Sequence, residues 1–292
     1  MTAIPSFTMN NGRTIPALGY GVFLMTSDQV REHLPQALKL GYRHIDTANA
    51  YFNEVAVGEV VRDAIAAGEL AREDLFITTK LFPQSYPYAQ AVEDIDATLA
   101  RLGLDYVDLL LFHQPYGEYV SGWKAMEEAV AGGKVRSIGL SNFPIAKFQE
   151  ILDVAEIIPA VHQVEAHPRW NQHELKARMS EATGTEVLVE AWYPLGHGDK
   201  TLLEEPAIAA AAQRTGATPA QVILAWHLAE RNITFPKTLS PAHMADNLAA
   251  LDVELTAAEI ATINGIPQQP YYRIPDEPPA FVLTTNDYSQ QA

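Results

Sequence analysis

The chain contains no cysteine. Disulfides, thiolate nucleophiles and Cys-based zinc or iron–sulfur sites are therefore excluded, and a reducing cytoplasm suits such a chain. Basic charge is also scarce: 20 Lys and Arg stand against 36 Asp and Glu, for a net charge of −16. That balance disfavours nucleic acid as a partner and repels anionic membrane surfaces. It also requires any site for an anionic small molecule to be a local positive island. No apolar run approaches the ~18 residues that span a bilayer. The stretch Met1 to Thr8 holds no basic segment followed by an apolar one, so no signal peptide is expected. Missing too is the turn G-x-G-x-x-G, which seats a dinucleotide phosphate at a strand end in open, doubly wound α/β sheets.

What is present is a large apolar fraction in a regular rhythm. With 48% hydrophobic residues among 292, the chain can bury a large core, and single α/β barrels commonly reach that length. Eight short apolar runs read as strands, at residues 17–23, 42–46, 75–79, 106–112, 135–140, 160–164, 187–191 and 233–235. Helical spacing lies between them: Val92, Ile95, Leu99, Leu102; then Trp123, Met126, Val130; then Ile145, Phe148, Leu152, Ala155. Helix starts are marked by Ser27-Asp28, by Thr218-Pro219 and by Thr256 with Glu259 as a capping box. This alternation predicts a (β/α)8 barrel occupying residues 1–292 as one domain, since right-handed crossovers between parallel strands close naturally at that number. Asn11-Gly12 between Phe7 and Ile15 predicts a hairpin that plugs the barrel bottom. The tail after Ile266, with Pro270-Tyr271-Tyr272-Arg273 and Pro278-Pro279, is expected to be irregular and to fold over the barrel mouth.

Active sites of such barrels lie at the carboxyl ends of the strands. Asp46 ends the second run, Tyr51 follows in its loop, Lys80 comes straight after the third run and His113 after the fourth. Each has a plainer reading alone: a helix cap or salt bridge for the acid, packing for the tyrosine, a solvated lysine, a structural histidine. Together they fit the needs of carbonyl reduction. The developing alkoxide needs a proton donor, and tyrosine ordinarily titrates near 10, too high for easy exchange at neutral pH. A nearby ammonium, Lys80, is expected to lower that value, with Asp46 keeping the lysine charged and aimed. His113 orients the carbonyl through a hydrogen bond. No side chain supplies a hydride, so a cofactor must.

These segments resemble the signatures of the aldo-keto reductases, in order and over nearly the whole chain. Gly41 to Ala48 followed by Tyr51 and Asn53-Glu54 is similar to the family's first signature. Leu104 to Leu109 through His113-Gln114-Pro115 is similar to its second, and Phe235-Pro236-Lys237-Thr238 through Asn247 to its third. The resemblance implies reversible, NADPH-dependent reduction of aldehydes and ketones by a monomer, with no metal. Tyr51 is then the general acid/base, Lys80 and Asp46 its tuning partners, and His113 the orienting residue. It further implies that Ser141, Asn142 and Gln163 hold the nicotinamide carboxamide and that Asp46 borders the same cofactor. Trp192 takes the stacking position where relatives usually carry tyrosine, and Leu195 and Gly196 begin the loop that crosses the pyrophosphate. Lys237, Thr238 and His243 fall at the 2′-phosphate, and Asn247, helped by Asp246, at the adenine. Relatives carry arginine where this chain has His243. Histidine lacks the permanent charge and the planar fork, so a charge-assisted contact of about 1.5–3 kcal/mol is weakened. NADPH use with unusual tolerance of NADH is the expectation.

Phe23, Tyr51, Phe82, His113 and a tail tyrosine, Tyr271 or Tyr272, are expected to line the mouth, which suits a carbonyl with an apolar or flat portion. Gln114, where many relatives have an aromatic, makes one wall more polar. Arg273 stands either to meet a substrate carboxylate or to remain solvated. Two other readings compete. Asp46, His113, His162 and His167 would be the ligands of a metal-dependent hydrolase, but there is no His-x-His pair, and an odd separation turns His162 and His167 to opposite faces of a continuous strand. A cofactor-binding regulatory module with little turnover would keep the same fold, and the intact set of four argues against it. Nothing in the fold names the physiological carbonyl.

Overall fold

Most of the apolar runs become strands, shortened or shifted by a few residues. The computed structural model describes residues 3–288 and residue 291, so Met1 and Thr2, part of the stretch read for a targeting signal, lie outside the described residues. A hairpin of β1 (Ser6–Thr8) and β2 (Thr14–Pro16) comes first. Eight parallel strands follow in chain order: β3 (Tyr20–Gly21), β4 (His44–Asp46), β5 (Phe76–Leu81), β6 (Leu109–Phe112), β7 (Ile138–Ser141), β8 (Val161–Glu165), β9 (Leu188–Trp192) and β10 (Asn232–Thr234). The ring closes where Thr234 meets the segment before β3. The Gly19 N–H donates to Thr234 O at 2.8 Å, and the Thr234 N–H to Ala17 O at 3.0 Å. Helices cover the outside, so the (β/α)8 barrel is confirmed. Among the described residues no helix is long and apolar enough to cross a membrane.

The departures from expectation have local causes. Residues 17–23 yield only the two-residue β3, because Gly19 and Gly21 offer the ladder no side chains and lie against the His44 and Phe235 carbonyls. Residues 106–112 pair regularly only from Leu109, because the Asp108 carboxylate takes the Ile77 N–H at 2.9 Å while holding Arg72 at 2.7 Å. The third run continues to Leu81, so Lys80 lies inside its strand rather than after it. Thr26, not Ser27, caps the first helix (Ser27–Leu40), in a capping box with Gln29. Thr218 and Thr256 form the other two boxes. Val92 is exposed; its helix buries Ala91, Ile95, Thr98, Leu99 and Leu102 instead. Ile151 rather than Leu152 is the residue fully buried at the end of the helix Ile145–Leu152.

Strand residues two apart point the same way, and this sorts the barrel interior into layers. The lower interior is apolar: Phe76, Leu109, Leu111, Val161, Leu188 and Ile233 pack with Met9 and Ile15 of the hairpin. Burying Met9 and Ile15 stabilises the plug by roughly 1.5–3 kcal/mol per side chain. The next level up carries His44, Thr78 and Glu190, and the top carries Asp46, Lys80, Gln163 and Ser141, all buried. The tail closes over this top. Phe82, Tyr116, Val282 and Tyr288 form a small cluster there, and the Glu165 carboxylate accepts the N–H groups of Tyr271 and Tyr272 at 2.5 and 3.0 Å.

Gly139 on β7 has no room for a side chain. A Cβ there would sit 2.3 Å from the Val161 carbonyl oxygen and 2.8 Å from Leu111 Cδ2. Gly139→Ala is expected to lower stability by about 1–3 kcal/mol, the usual range for overpacking a core. The measurement is the urea midpoint at constant slope; an unchanged midpoint would mean that β7 and β8 separate at no cost.

Candidate active site

The top layer converges on one ion pair. Lys80 Nζ donates to Asp46 Oδ1 at 2.7 Å, to Asp46 Oδ2 at 2.9 Å and to Thr47 O at 2.9 Å, and stands 3.1 Å from Tyr51 Oη. Lys80 has no exposed surface. Its burial is the largest single effect and works against the ammonium, but Asp46 and Tyr51 together outweigh it and hold the lysine above its ordinary value. Tyr51 reaches this pair from a 3-10 turn (Asn49–Tyr51) directly after β4. That loop is pinned from inside: Thr47 Oγ1 donates to Asn53 Oδ1 at 2.8 Å, and Asn53 Nδ2 donates to Val22 O and Met25 O. The Tyr51 ring meets His113 edge-on, centroids 5.6 Å apart, and Phe23 at 4.9 Å.

The electrostatics correct one expectation. Lys80 does favour the Tyr51 phenolate, yet burial acts more strongly the other way and pushes the phenol up to about 12. Tyr51 is therefore protonated at neutral pH. Burial, helped by the Lys80 charge, drops His113 well below its ordinary value, so its ring is neutral. Its Nδ1 is buried without a hydrogen-bond partner among the described residues, which leaves Nε2 as the nitrogen able to serve the cavity.

A cavity of about 650 Å³ opens beside this cluster and runs from Phe23, Leu24 and Phe281 past Tyr51, His113, Gln114 and Trp192 to Lys237. On its floor lie three polar side chains whose orientations are set by their neighbours. Gln163 Nε2 donates to Asp46 Oδ1 at 2.9 Å and to Glu190 Oε2 at 3.0 Å. Both of its amide protons are then used, and only its oxygen is left for the cavity. Asn142 donates to His113 O and Ser141 Oγ, while its oxygen accepts the Trp192 indole N–H at 2.9 Å. Ser141 Oγ, already an acceptor, keeps its proton to give. One donor and two acceptor positions thus face the cavity. A primary carboxamide offers the complement, one carbonyl and two N–H, so these residues fit the nicotinamide amide. Asn142 adopts a left-handed φ of 67°, a conformation its three hydrogen bonds hold in place.

At the far end, exposed Lys237 and His243 flank Thr238 and the first turn of the helix Pro241–Ala249. The Lys237 ammonium and the helix N-terminus make the positive island that the acidic composition calls for. Asn247 is buried, beside Tyr42. Leu195 lines the cavity and Gly196 lies behind it, against Leu202 and Tyr271. Of the expected pocket residues, Phe82 does not border the cavity; it is buried behind His113, centroids 5.5 Å apart. Of the two tail tyrosines, Tyr272 lines the mouth, while Tyr271 turns away to Asp199 at 2.6 Å. Arg273 is exposed on the tail. His162 faces outward, accepting the Phe143 N–H, and His167 pairs with Glu165 at 2.9 Å. Neither joins His113, and no three His, Asp or Glu among the described residues make a metal cluster.

Several residues went unread in the sequence. Leu24 and Tyr193 line the cavity from loops, His197 from a 3-10 turn (Gly196–Gly198) and Phe281 from a four-residue helix (Ala280–Leu283), all too short for a periodicity to mark them. Glu190 was legible in principle: it lies two residues before Trp192 on one strand and therefore shares its inward face.

Comparison with known proteins gives a consistent picture. The model of the Aldo/keto reductase family matches residues 17–267. An aldo-keto reductase of Mycobacterium sp. (strain MCS) is 39% identical over 92% of this chain and 93% of its own. Morphine 6-dehydrogenase of Pseudomonas putida is 38% identical over 89% of this chain and 90% of its own. Among solved structures, a Bombyx mori aldo-keto reductase in complex with NADP superposes with a TM-score of 0.85 at 30% identity, covering 94% of this chain and 96% of that one.

The ion pair at the centre makes a stability prediction. Asp46→Ala leaves Lys80 buried without its counter-charge and is expected to cost about 3–5 kcal/mol. Denaturant unfolding near pH 7 measures it; a loss below about 1 kcal/mol would mean that Lys80 readily sheds its proton or escapes to water.

Proposed function

This chain belongs to the aldo/keto reductase family, and on that footing we propose that it reduces aldehydes and ketones reversibly, with NADPH as the preferred cofactor. The observation that carries the reading is Lys80 Nζ lying 3.1 Å from Tyr51 Oη while bound to both oxygens of Asp46. Ser141, Asn142 and Gln163 would hold the carboxamide of a bound NADPH, which would supply the hydride. Trp192 would pack against the nicotinamide ring, and its indole N–H holds Asn142 at 2.9 Å, turned toward the cavity. His113 gives a hydrogen bond to the substrate oxygen and orients it. As negative charge grows on that oxygen, Tyr51 passes its proton to it. Lys80 stabilises the phenolate that remains, and Asp46 keeps Lys80 positive throughout. In the reverse direction the same phenolate takes the alcohol proton. The aromatic mouth of Phe23, Tyr272 and Phe281 suits a substrate with a flat or apolar body, in keeping with a relative named for morphine.

Tyr51→Phe removes the proton donor and is expected to cut kcat by about 10²–10⁴-fold with little change in NADPH affinity. A variant that turns over like the original would assign the proton to another group. Because His243 replaces a fixed charge, the kcat/KM preference for NADPH over NADH is expected to stay below about a thousandfold, and His243→Arg to raise it about ten- to a hundredfold. Initial rates with both cofactors and a reactive aromatic aldehyde decide this; a preference above a thousandfold, or no gain in the Arg variant, would sink it.

A further inference from the structure

Beneath the proposed site lies an acid that the mechanism leaves unused. Glu190 on β9 has no exposed surface, and its Oε2 accepts from Gln163 Nε2 at 3.0 Å. Among the described residues its Oε1 has no hydrogen-bond partner, and it faces His44 Nε2 at 3.8 Å. His44 cannot supply a charge there. Its Nδ1 lies 3.2 Å from the Pro16 carbonyl, which can only accept, so Nδ1 carries the proton and Nε2 accepts from Thr78 Oγ1 at 2.9 Å. Burial keeps this imidazole neutral.

The other ionisable groups facing Glu190 are Asp46 on β4, Lys80 on β5 and, through Lys80, Tyr51. Asp46 and Lys80 already neutralise each other at 2.7 Å. From β10 come only Asn232, Ile233 and Thr234, and from β8 the neutral Gln163. An ionised Glu190 would thus be a second buried anion with no cation of its own, while the protonated acid needs none.

We propose that Glu190 is a positioning residue of the nicotinamide pocket: a neutral buried acid that, with Asp46, fixes the Gln163 amide so that its oxygen faces the cavity, and that, once ionised, favours the oxidised cofactor over the reduced one. Both parts follow from the hydrogen bonds of Gln163. With acceptors on both Nε2 protons, the amide has a single orientation. A negative charge one hydrogen bond below the cavity floor attracts the cationic nicotinamide ring of NADP and has no such effect on neutral dihydronicotinamide. The pH range is given by burial and the nearby Asp46 charge, which raise Glu190 from 4.5 to about 8. Tyr51, pushed up to about 12, does not titrate in that range. Since the folded state binds this proton more tightly than the unfolded chain, Glu190 makes stability fall as pH rises from about 4.5 to 8.

This inference rests on the reductase reading of the site. Its test is the ratio of dissociation constants for NADP and NADPH, measured by calorimetry from pH 6.5 to 9.5. The ratio cancels what the two cofactors share, including the 2′-phosphate and any titration of His243. In the unaltered protein the ratio is expected to shift toward NADP on the order of tenfold through about pH 8, the size of one charge acting across a protein-like medium. In Glu190→Gln, which keeps an acceptor for Gln163 but cannot ionise, the ratio is expected to be flat, and the fall in urea midpoint with pH to lessen. In Glu190→Met, which removes the acceptor, both cofactors are expected to weaken by about two- to tenfold at pH 7. The inference is overturned by a flat ratio in the unaltered protein, by a Glu190→Gln ratio that still follows pH, or by Gln weakening binding as much as Met. If Met does not fold, the Gln arm decides alone. Failure of the unaltered protein to bind either cofactor would overturn the proposed function itself, and this inference with it.

Discussion

A lysine ammonium enclosed on all sides loses several kcal/mol of hydration, and a barrel that contains one must replace what water provided. Here the replacement is complete: Asp46 offers both oxygens to Lys80, Thr47 a carbonyl and Tyr51 a hydroxyl, all within 3.1 Å. That arrangement depends on the register of two neighbouring strands. Asp46 pairs with Thr78, so Lys80 comes one pleat higher on the same inward face, and its side chain spans the step to the carboxylate. The position of Tyr51 follows from the same arrangement, because the ammonium faces its hydroxyl. The loop bonds of Asn53 then hold the turn that carries it.

The layering of the interior explains why so many polar groups survive burial. The hydrophobic plug of Met9 and Ile15 excludes water from below, and the tail covers part of the top. Between them, polar side chains find partners on the neighbouring strand, as Lys80 does at Asp46, or across the barrel, as Gln163 does at the same carboxylate. Where the partner set is complete, as at Lys80, the group is held charged. Where it is incomplete, as at Glu190 Oε1, the neutral form is favoured.

The sequence made the barrel legible because its crossovers alternate two periods, and it made Asp46 and His113 legible because each stands where an apolar run stops. Lys80 was recognised although its strand runs past it, since the run 75–79 merely looked finished. What stayed hidden has a common physical origin. The inward face of a parallel barrel strand is apolar below and polar above, and the outward face is apolar under helices, so Glu190 hides within what reads as one continuous run. The place of Phe82 just after a strand reads as a pocket wall. Its actual place behind His113 depends on the tail, whose path has no periodicity to follow. Asn247 is buried beside Tyr42, a neighbour far away in sequence.

One oxygen joins the two halves of the site. Asp46 Oδ1 accepts from Lys80 Nζ at 2.7 Å and from Gln163 Nε2 at 2.9 Å. In the proposed reaction the first bond governs the proton donor and the second governs the amide that seats the hydride source. The two geometries therefore cannot drift independently: a shift of the carboxylate that loosens the lysine also turns the glutamine. Hydride and proton must arrive at one carbonyl from two directions, and near-attack geometry tolerates only small errors in either. Anchoring both to a single buried oxygen, on a strand locked into the barrel wall, ties their relative placement to the backbone rather than to mobile side chains.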